Sequence, residues 1–352
     1  ALLLGIVLAS TFFAGINVGA DTAAKQALDQ ELNKAVVDVY VSPSYDYMIG
    51  RTLALLSSKN ATDVMNAILG VEGVTSVEVI SRGHAPAQVP GKNLSIYGFS
   101  VIGISEHSHV YDGWIGGAPT IEENKTYVWS GSEDTALFDV GDVIPLNLTI
   151  AQSAGRTFSF LLNLTVAGSA QLSDQAFAIA TGQFYTTDLA SLKQYYPENI
   201  LIVSWEKTLA RLIDFVYSLK PEYGYLDTTI YVYLNRGLIS PWDTAGSISR
   251  LKAVTFKINN EVSKYHLQAT NRLEDILNSY QGVSFGMRFT FIVAALPVFF
   301  VAWYMGSTVS DVSFNLRRRE IGLLLTKGFS RRQLFWMFLF EAALIGLLGG
   351  VL

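Results

Sequence analysis

No cysteine occurs among the 352 residues, so disulfides, thiolate metal sites and cysteine nucleophiles are all excluded. There is no G-x-x-x-x-G-K-[ST] sequence either, and the chain cannot by itself cradle ATP in the P-loop manner. No G-x-S-x-G elbow is present and histidine is scarce, with four in all, which leaves little basis for Ser/His/Asp catalysis. Cations are outnumbered, 25 Lys and Arg against 30 Asp and Glu, and a net charge of −5 has the wrong sign for a protein that must displace counterions from nucleic acid. Charge of any sign is sparse at 16%, half of the residues are hydrophobic and mean hydropathy is +0.31, a balance that leans towards a membrane protein.

The apolar residues gather at the two ends. From Phe289 to Gly306 the chain reads FTFIVAALPVFFVAWYMG with no charge. About 18 helical residues span roughly 27 Å, enough for a thin bilayer core, and 286–306 is expected to be a transmembrane helix. Pro297 inside it is tolerated where neighbouring groups satisfy the freed carbonyl. Residues 1–20, ALLLGIVLASTFFAGINVGA, lack the basic n-region of a signal peptide, although Val18-Gly19-Ala20 would pass as a cleavage site; the expected reading is part of a first transmembrane helix. A third apolar run, 334–352, is interrupted only by Glu341. Since the sequence starts without Met and stops within this run, it reads as a piece of a longer chain.

Between the second and third runs, 307–333 carries Arg317, Arg318, Arg319, Lys327, Arg331 and Arg332 against Asp311 and Glu320. Short segments this rich in Lys and Arg stay in the cytoplasm, which places residues 21–285 outside. Asn-X-Ser/Thr sequons agree: Asn60, Asn93, Asn124, Asn147 and Asn163 are five of the six asparagines between positions 60 and 163, and no other asparagine is an acceptor. N-linked glycans on an outer domain are the expectation, as in many archaea or eukaryotes.

The outer region reads as α+β. A helical stalk is expected from 21–35 and from one long returning helix, 243–281, with Leu267, Leu273, Ile276, Leu277 and Tyr280 as its apolar stripe. Two small α/β lobes follow from strand-helix-strand patterns: 36–94, with strands 36–42 and 74–81 around a helix at 45–69, and 199–242, with strands 199–204 and 228–235 around a helix at 205–219. Between them 95–182 is predicted to be a β-rich insertion, with strands in SIYGFSVIGIS, TYVWSG, VIPLNLTIA, TFSFLLNLTVAGSAQL and FAIATG.

Candidate chemistry is thin. Glu106-His107-Ser108-His109 would put both imidazoles on one face of a strand but supplies too few zinc ligands, and no catalytic, cofactor or metal site is expected. Glu341 is another matter, because a carboxylate at membrane depth is costly unless it faces protein or water. Gly346, Gly349 and Gly350 would let membrane helices approach closely.

Arg318-Arg319-Glu320-Ile321-Gly322-Leu323-Leu324, then Lys327-Gly328-Phe329-Ser330-Arg331-Arg332-Gln333, then an apolar helix with Glu341 and Gly349-Gly350, resembles the signature of FtsX/MacB-type ABC transporter permeases. Thr326-Lys327 and Gly328-Phe329-Ser330 stand where that family often has Arg-Ala and Gly-Ala-Ser. Phe138 to Leu146 followed by Phe158 to Gly168 is similar to a strand pair of the family's outer domain. The resemblance, of an archaeal cast given the sequons, implies transmembrane helices flanking the outer domain and a mechanotransmission permease in which two copies pair. It also implies that ATP is used by a cytoplasmic ABC ATPase, expected on a partner chain. The segment Leu316 to Lys327 would be the coupling helix, with Arg317, Arg318, Arg319 and Glu320 as polar contacts and Ile321, Leu324 and Leu325 as its apolar face. Export or extraction of a lipid or peptide is the leading expectation. The alternatives are an FtsX-like regulator of an extracellular partner protein and a membrane-anchored adhesion protein; the basic residues also suit anionic membrane lipid.

Overall fold

The computed structural model describes residues 2–46, 51–52, 56–85, 99–129, 138–151, 157–183, 188–194, 196, 199–219 and 226–351. The chain divides into two compact units, Ala1–Gln30 with Ser279–Leu352, and Glu31–Asn278.

The second unit is built on a nine-stranded mixed sheet. In chain order its elements begin with β1 (Val39–Pro43), the short pair β2 (Tyr45–Asp46) and β3 (Arg51–Thr52), α2 (Ser58–Leu69), β4 (Val74–Ala85) and β5 (Phe99–Ile104). There follow β6 (Lys125–Trp129), β7 (Val143–Ala151), β8 (Thr157–Ala170), α3 (Asp174–Thr181), α4 (Leu189–Gln194) and β9 (Asn199–Ser204). A π-helical turn at Trp205–Leu209 leads into α5 (Ala210–Leu219), then β10 (Leu226–Leu234), α6 (Thr244–Val262) and β11 (Leu267–Asn271). Strand order is β11-β1-β10-β4-β5-β9-β6-β8-β7, with β2 and β3 forming a separate pair. Neighbours are antiparallel except β5 with β9 and β6 with β8. Val-, Ile- and aromatic-rich central strands supply the core: β9 is buried at every position, and Ile80, Ile102, Ile202, Trp129, Phe177 and Tyr231 cluster together.

Three expectations give way here. The two lobes are not separate, because β10, from the second, lies between β1 and β4 of the first, with Val39 opposite Val232 and Val232 opposite Val77. The β-rich insertion joins the same sheet through β5, which pairs with β4. Its last expected strand, FAIATG, is instead α3: Ser173 Oγ accepts from Ala176 N at 3.3 Å to cap one end, and Gly182 at φ +73° closes the other. A short continuous apolar run fits a buried helix as well as a buried strand.

The returning stalk is also not one helix. Helix α6 ends at Val262, a 3-10 turn leads to His266 in the left-handed region at φ +58°, and β11 then covers the outer edge of β1 with Leu267, Ala269 and Asn271 buried in alternation. A new helix starts at Arg272, where Asn271 Oδ1 accepts from Glu274 N at 3.3 Å. Likewise α2 begins at Ser58 rather than Tyr45, since Ser57 Oγ accepts from Asn60 N and Asp214 Oδ1 from Ser58 N. Residues 47–50 and 53–55 of that expected helix lie outside the described residues.

The first unit is helical. It contains most of α1 (Leu2–Leu32), most of α7 (Arg272–Thr326) and α8 (Arg331–Val351). Tyr280 is fully buried and its hydroxyl donates to the carbonyl of Ala24 at 3.0 Å, joining α7 to α1. Among the described residues one segment, Arg272–Thr308, is long and apolar enough to cross a membrane, with a mean hydropathy of 1.9 in its most apolar window. Phe289, Phe299, Phe300, Trp303 and Tyr304 are all exposed in that stretch, which is the opposite of a buried core helix.

Candidate functional site

Helix α7 runs unbroken from the apolar segment through the arginine cluster, so the expected coupling helix is the last part of a 55-residue helix and not a separate element. The way it stops is encoded residue by residue. Gly328 adopts φ +91°, Gly328 N donates to the carbonyl of Leu325 at 3.1 Å, and Phe329 N donates to that of Leu324 at 3.2 Å. This pair of bonds is a Schellman closure, which needs a residue in the left-handed region and favours glycine there. Two residues on, Ser330 Oγ accepts from Gln333 N at 3.3 Å while Gln333 Oε1 accepts from Ser330 N at 2.9 Å. That reciprocal capping box starts α8. Gly328, Ser330 and Gln333 therefore make a four-residue reversal, and the part of the motif that the sequence shows most clearly is turn chemistry.

Across the hairpin Arg317 Nη1 donates to Glu341 Oε2 at 2.6 Å, and the Arg317 guanidinium also lies 5.9 Å from the Phe338 ring centre. At 1.5 Å per residue these two partners sit about 14 and 15 Å from their respective helix ends, as antiparallel neighbours require. Glu341 thus has a cationic partner within the chain, and Arg317 is directed towards α8. Arg318, Arg319 and Glu320 remain exposed, Ile321 and Leu324 are half-buried, and Leu325 is 41% exposed. Six cations over 307–333 face two acids, giving this end of the hairpin a strongly positive surface. Gly346, Gly349 and Gly350 fall on α8, but their surroundings are outside the described residues.

In the sheet unit, Asn124, Asn147 and Asn163 are exposed and Asn60 is half-buried in the first turn of α2; Asn93 lies outside the described residues. Asn147 and Asn163 share the outer face of the β7–β8 hairpin, diagonal to one another, because Asn147 faces Leu161 and Asn163 faces Pro145. Residues 105–110 form turns, not a strand, and the His107 and His109 side chains part: His107 is exposed, whereas His109 turns to Glu78. Among the described residues no group of three or more His, Asp or Glu is placed to hold a metal ion.

The sequence reading missed a buried polar seam. Glu78, 1% exposed on β4, accepts from Tyr233 Oη at 2.5 Å and from His109 N at 2.7 Å, and its Oε2 lies 3.7 Å from His109 Nδ1. The imidazole stacks on Tyr233 with ring centres 3.9 Å apart. The Glu78 carboxylate raises the His109 pKa above its ordinary value, against the opposing effect of burial. Asp38, equally buried, accepts from Leu234 N at 2.8 Å and from Arg236 Nη2 at 3.2 Å, yet burial still pushes its carboxyl up. Charged residues at alternating positions on core strands, such as Glu78 between Val77 and Val79, were the available signal.

Residues 288–352 match the protein family described as FtsX-like permease C-terminal. No curated protein matches the chain. Among solved structures, the periplasmic region of MacB from Actinobacillus actinomycetemcomitans is similar over 70% of this chain and 94% of that one, at 14% identity and a TM-score of 0.37. None of these findings speaks to an archaeal source.

Proposed function

For a chain whose residues 288–352 are FtsX-like permease sequence, we propose the role of permease subunit in an ABC-type complex, one that transmits ATP-driven movement from a cytoplasmic ATPase to the sheet unit outside. In this reading 1–20, 286–306 and 334–352 cross the membrane, 307–333 is cytoplasmic, and the Glu31–Asn278 unit is extracytoplasmic, with N-linked glycans at its sequons. A second permease copy completes the assembly, the chemistry resides on the partner ATPase, and the cargo is a lipid, peptide or similar substrate.

The observation that carries the proposal is the α7–α8 hairpin. It pairs a membrane-length apolar helix with a sharply turned, positively charged end, and the one acid of the third apolar run, Glu341, is matched by Arg317. Arg317 belongs to the segment read as cytoplasmic, so the pairing sets Glu341 level with that segment, near the cytoplasmic end of the third run. Arg318 and Arg319 are left exposed for an acidic surface on the ATPase or for anionic headgroups.

The test is co-purification of the full-length protein in mild detergent. The wild-type chain is expected to bring down a Walker-containing ATPase. The double change Arg318→Glu/Arg319→Glu is expected to lower its recovery by about tenfold while leaving the sheet unit folded, since like charges across a contact cost on the order of one or more kcal/mol. Equal recovery from both proteins would remove the coupling assignment.

A further inference from the structure

Strands β5 and β9 run parallel side by side, with Ile104 opposite Ser204, and both end at the same edge of the sheet. Loops leaving the carboxyl ends of adjacent parallel strands diverge and leave a crevice between them, a recurrent place for ligands. At this edge lies a cleft of about 610 Å³, walled mostly by the segment after β5, with Glu106, Tyr111, Asp112 and the buried Ile121 at its floor, and closed by Ser204 at the end of β9 and Lys207 beyond it. That volume is in the range of small-molecule sites.

The walls are held in place. The segment after β9 is the π-helical turn Trp205–Leu209, a form often found at functional sites. It packs tightly on β5 because Gly103 has no side chain: a Cβ there would lie 2.5 Å from Leu209 Cδ1. Ser204 Oγ accepts from Lys207 N at 3.2 Å, and Glu106 N donates to Glu206 Oε1 at 3.1 Å, tying one loop to the other. Tyr111 is half-buried, and its ring stacks near Trp114 with centres 6.2 Å apart.

We infer that this cleft binds a small organic cation, an amine or guanidinium group on a short partly apolar body. Two lining carboxylates, Glu106 and Asp112, stand beside Lys207, which already lies 3.1 Å from Glu106, and beside the exposed imidazole of His107. Glu206 adds a third carboxylate beside the rim. The crowding is felt by its neighbours: burial with Glu206 and Glu106 pushes the Tyr111 hydroxyl up to about 12, and burial with Glu106 raises Glu206. A bare metal ion is not the fitting ligand, since these carboxylates do not converge as a ligand group. An organic cation instead uses the negative field together with the Tyr111 face and the Ile121 floor. The assignment is independent of the proposed ATPase coupling, which concerns residues of the other unit of the chain.

Calorimetry on the full-length protein in detergent, with Nα-acetyl-L-arginine amide and its uncharged citrulline counterpart as probes, tests it. The arginine compound is expected to bind about tenfold or more tightly than the citrulline one, and Glu106→Gln/Asp112→Asn to lose that preference. Lys207→Met, which removes the competing cation from a half-buried position, is expected to tighten arginine-amide binding severalfold, and an unchanged melting temperature in the double variant separates its loss of preference from misfolding. Equal binding of the two probes, no binding of either, or weaker binding by Lys207→Met would overturn the inference.

Discussion

Glu78 shows how a charge is kept inside a sheet. Its carboxylate is almost wholly removed from water and survives there because the Tyr233 hydroxyl and the His109 backbone N–H donate to it and the His109 ring stands close. Truncation by Glu78→Ala would strand both donors, each costing roughly 1–3 kcal/mol when buried without a partner, so a loss of about 3 kcal/mol or more is expected. Glu78→Gln keeps an acceptor and should cost less. His109 adds a pH dependence whose sign is fixed by the direction of its shift. Because its pKa is raised in the folded chain, its contribution is complete below the ordinary histidine value and is lost as pH rises through the raised one. The groups that raise it are Glu78 first, then Asp112 and Asp38. Thermal unfolding of the full-length protein between about pH 5.5 and 8.5 should show stability falling with pH, and His109→Gln should flatten the slope. An unchanged slope in that variant would assign the pH dependence elsewhere.

At the scale of elements, the hairpin is the part the sequence states most openly. Gly328, Ser330 and Gln333 each occupy the position their chemistry requires, and all of it is local, within six residues. Gly328→Ala must hold φ near +91° with a side chain present, at a cost of about 1–2 kcal/mol, and Ser330→Ala loses the cap at about 1 kcal/mol. Both changes are expected to weaken ATPase recovery together with the Arg318/Arg319 reversal if the turn positions that surface; a drop in melting temperature with undiminished recovery would separate turn from function. The α6–β11–α7 passage was less legible. Its helical spacing is carried by Leu273, Ile276, Leu277 and Tyr280, all past Arg272, while Leu267 belongs to a strand. The Asn271 and Glu274 pair was a usable start signal, but β11 exists because β1 has an open edge, and that is a fact of tertiary structure. The single sheet was illegible for the same reason. Val39 meets Val232 across nearly the whole unit, and no local pattern records such a pairing. Arg317 likewise reads as one of three equal arginines until α8 folds back and selects it for Glu341.

For the whole molecule, the α7 helix ties the question of function to that of topology. Its 55 residues extend about 80 Å, more than twice a bilayer's hydrocarbon core, so that its two ends must project into different compartments if Phe289–Gly306 spans. Because these 352 residues contain no cysteine, a thiol introduced among them can be labelled by a maleimide without background from this part of the chain. Val140, 75% exposed on the sheet unit, and Leu323, 61% exposed on the charged end of α7, are suitable positions. Val140→Cys should react with a membrane-impermeant maleimide in intact cells, whereas Leu323→Cys should react only after permeabilisation. Reaction of both from outside would place the arginine cluster in the same compartment as the sheet and would deprive a cytoplasmic ATPase of its contact. Opposite sidedness would mean that, among the described residues, movement at Arg318 and Arg319 has α7 as its direct covalent route to the outer unit, with α1 joined to it by the Tyr280 hydroxyl.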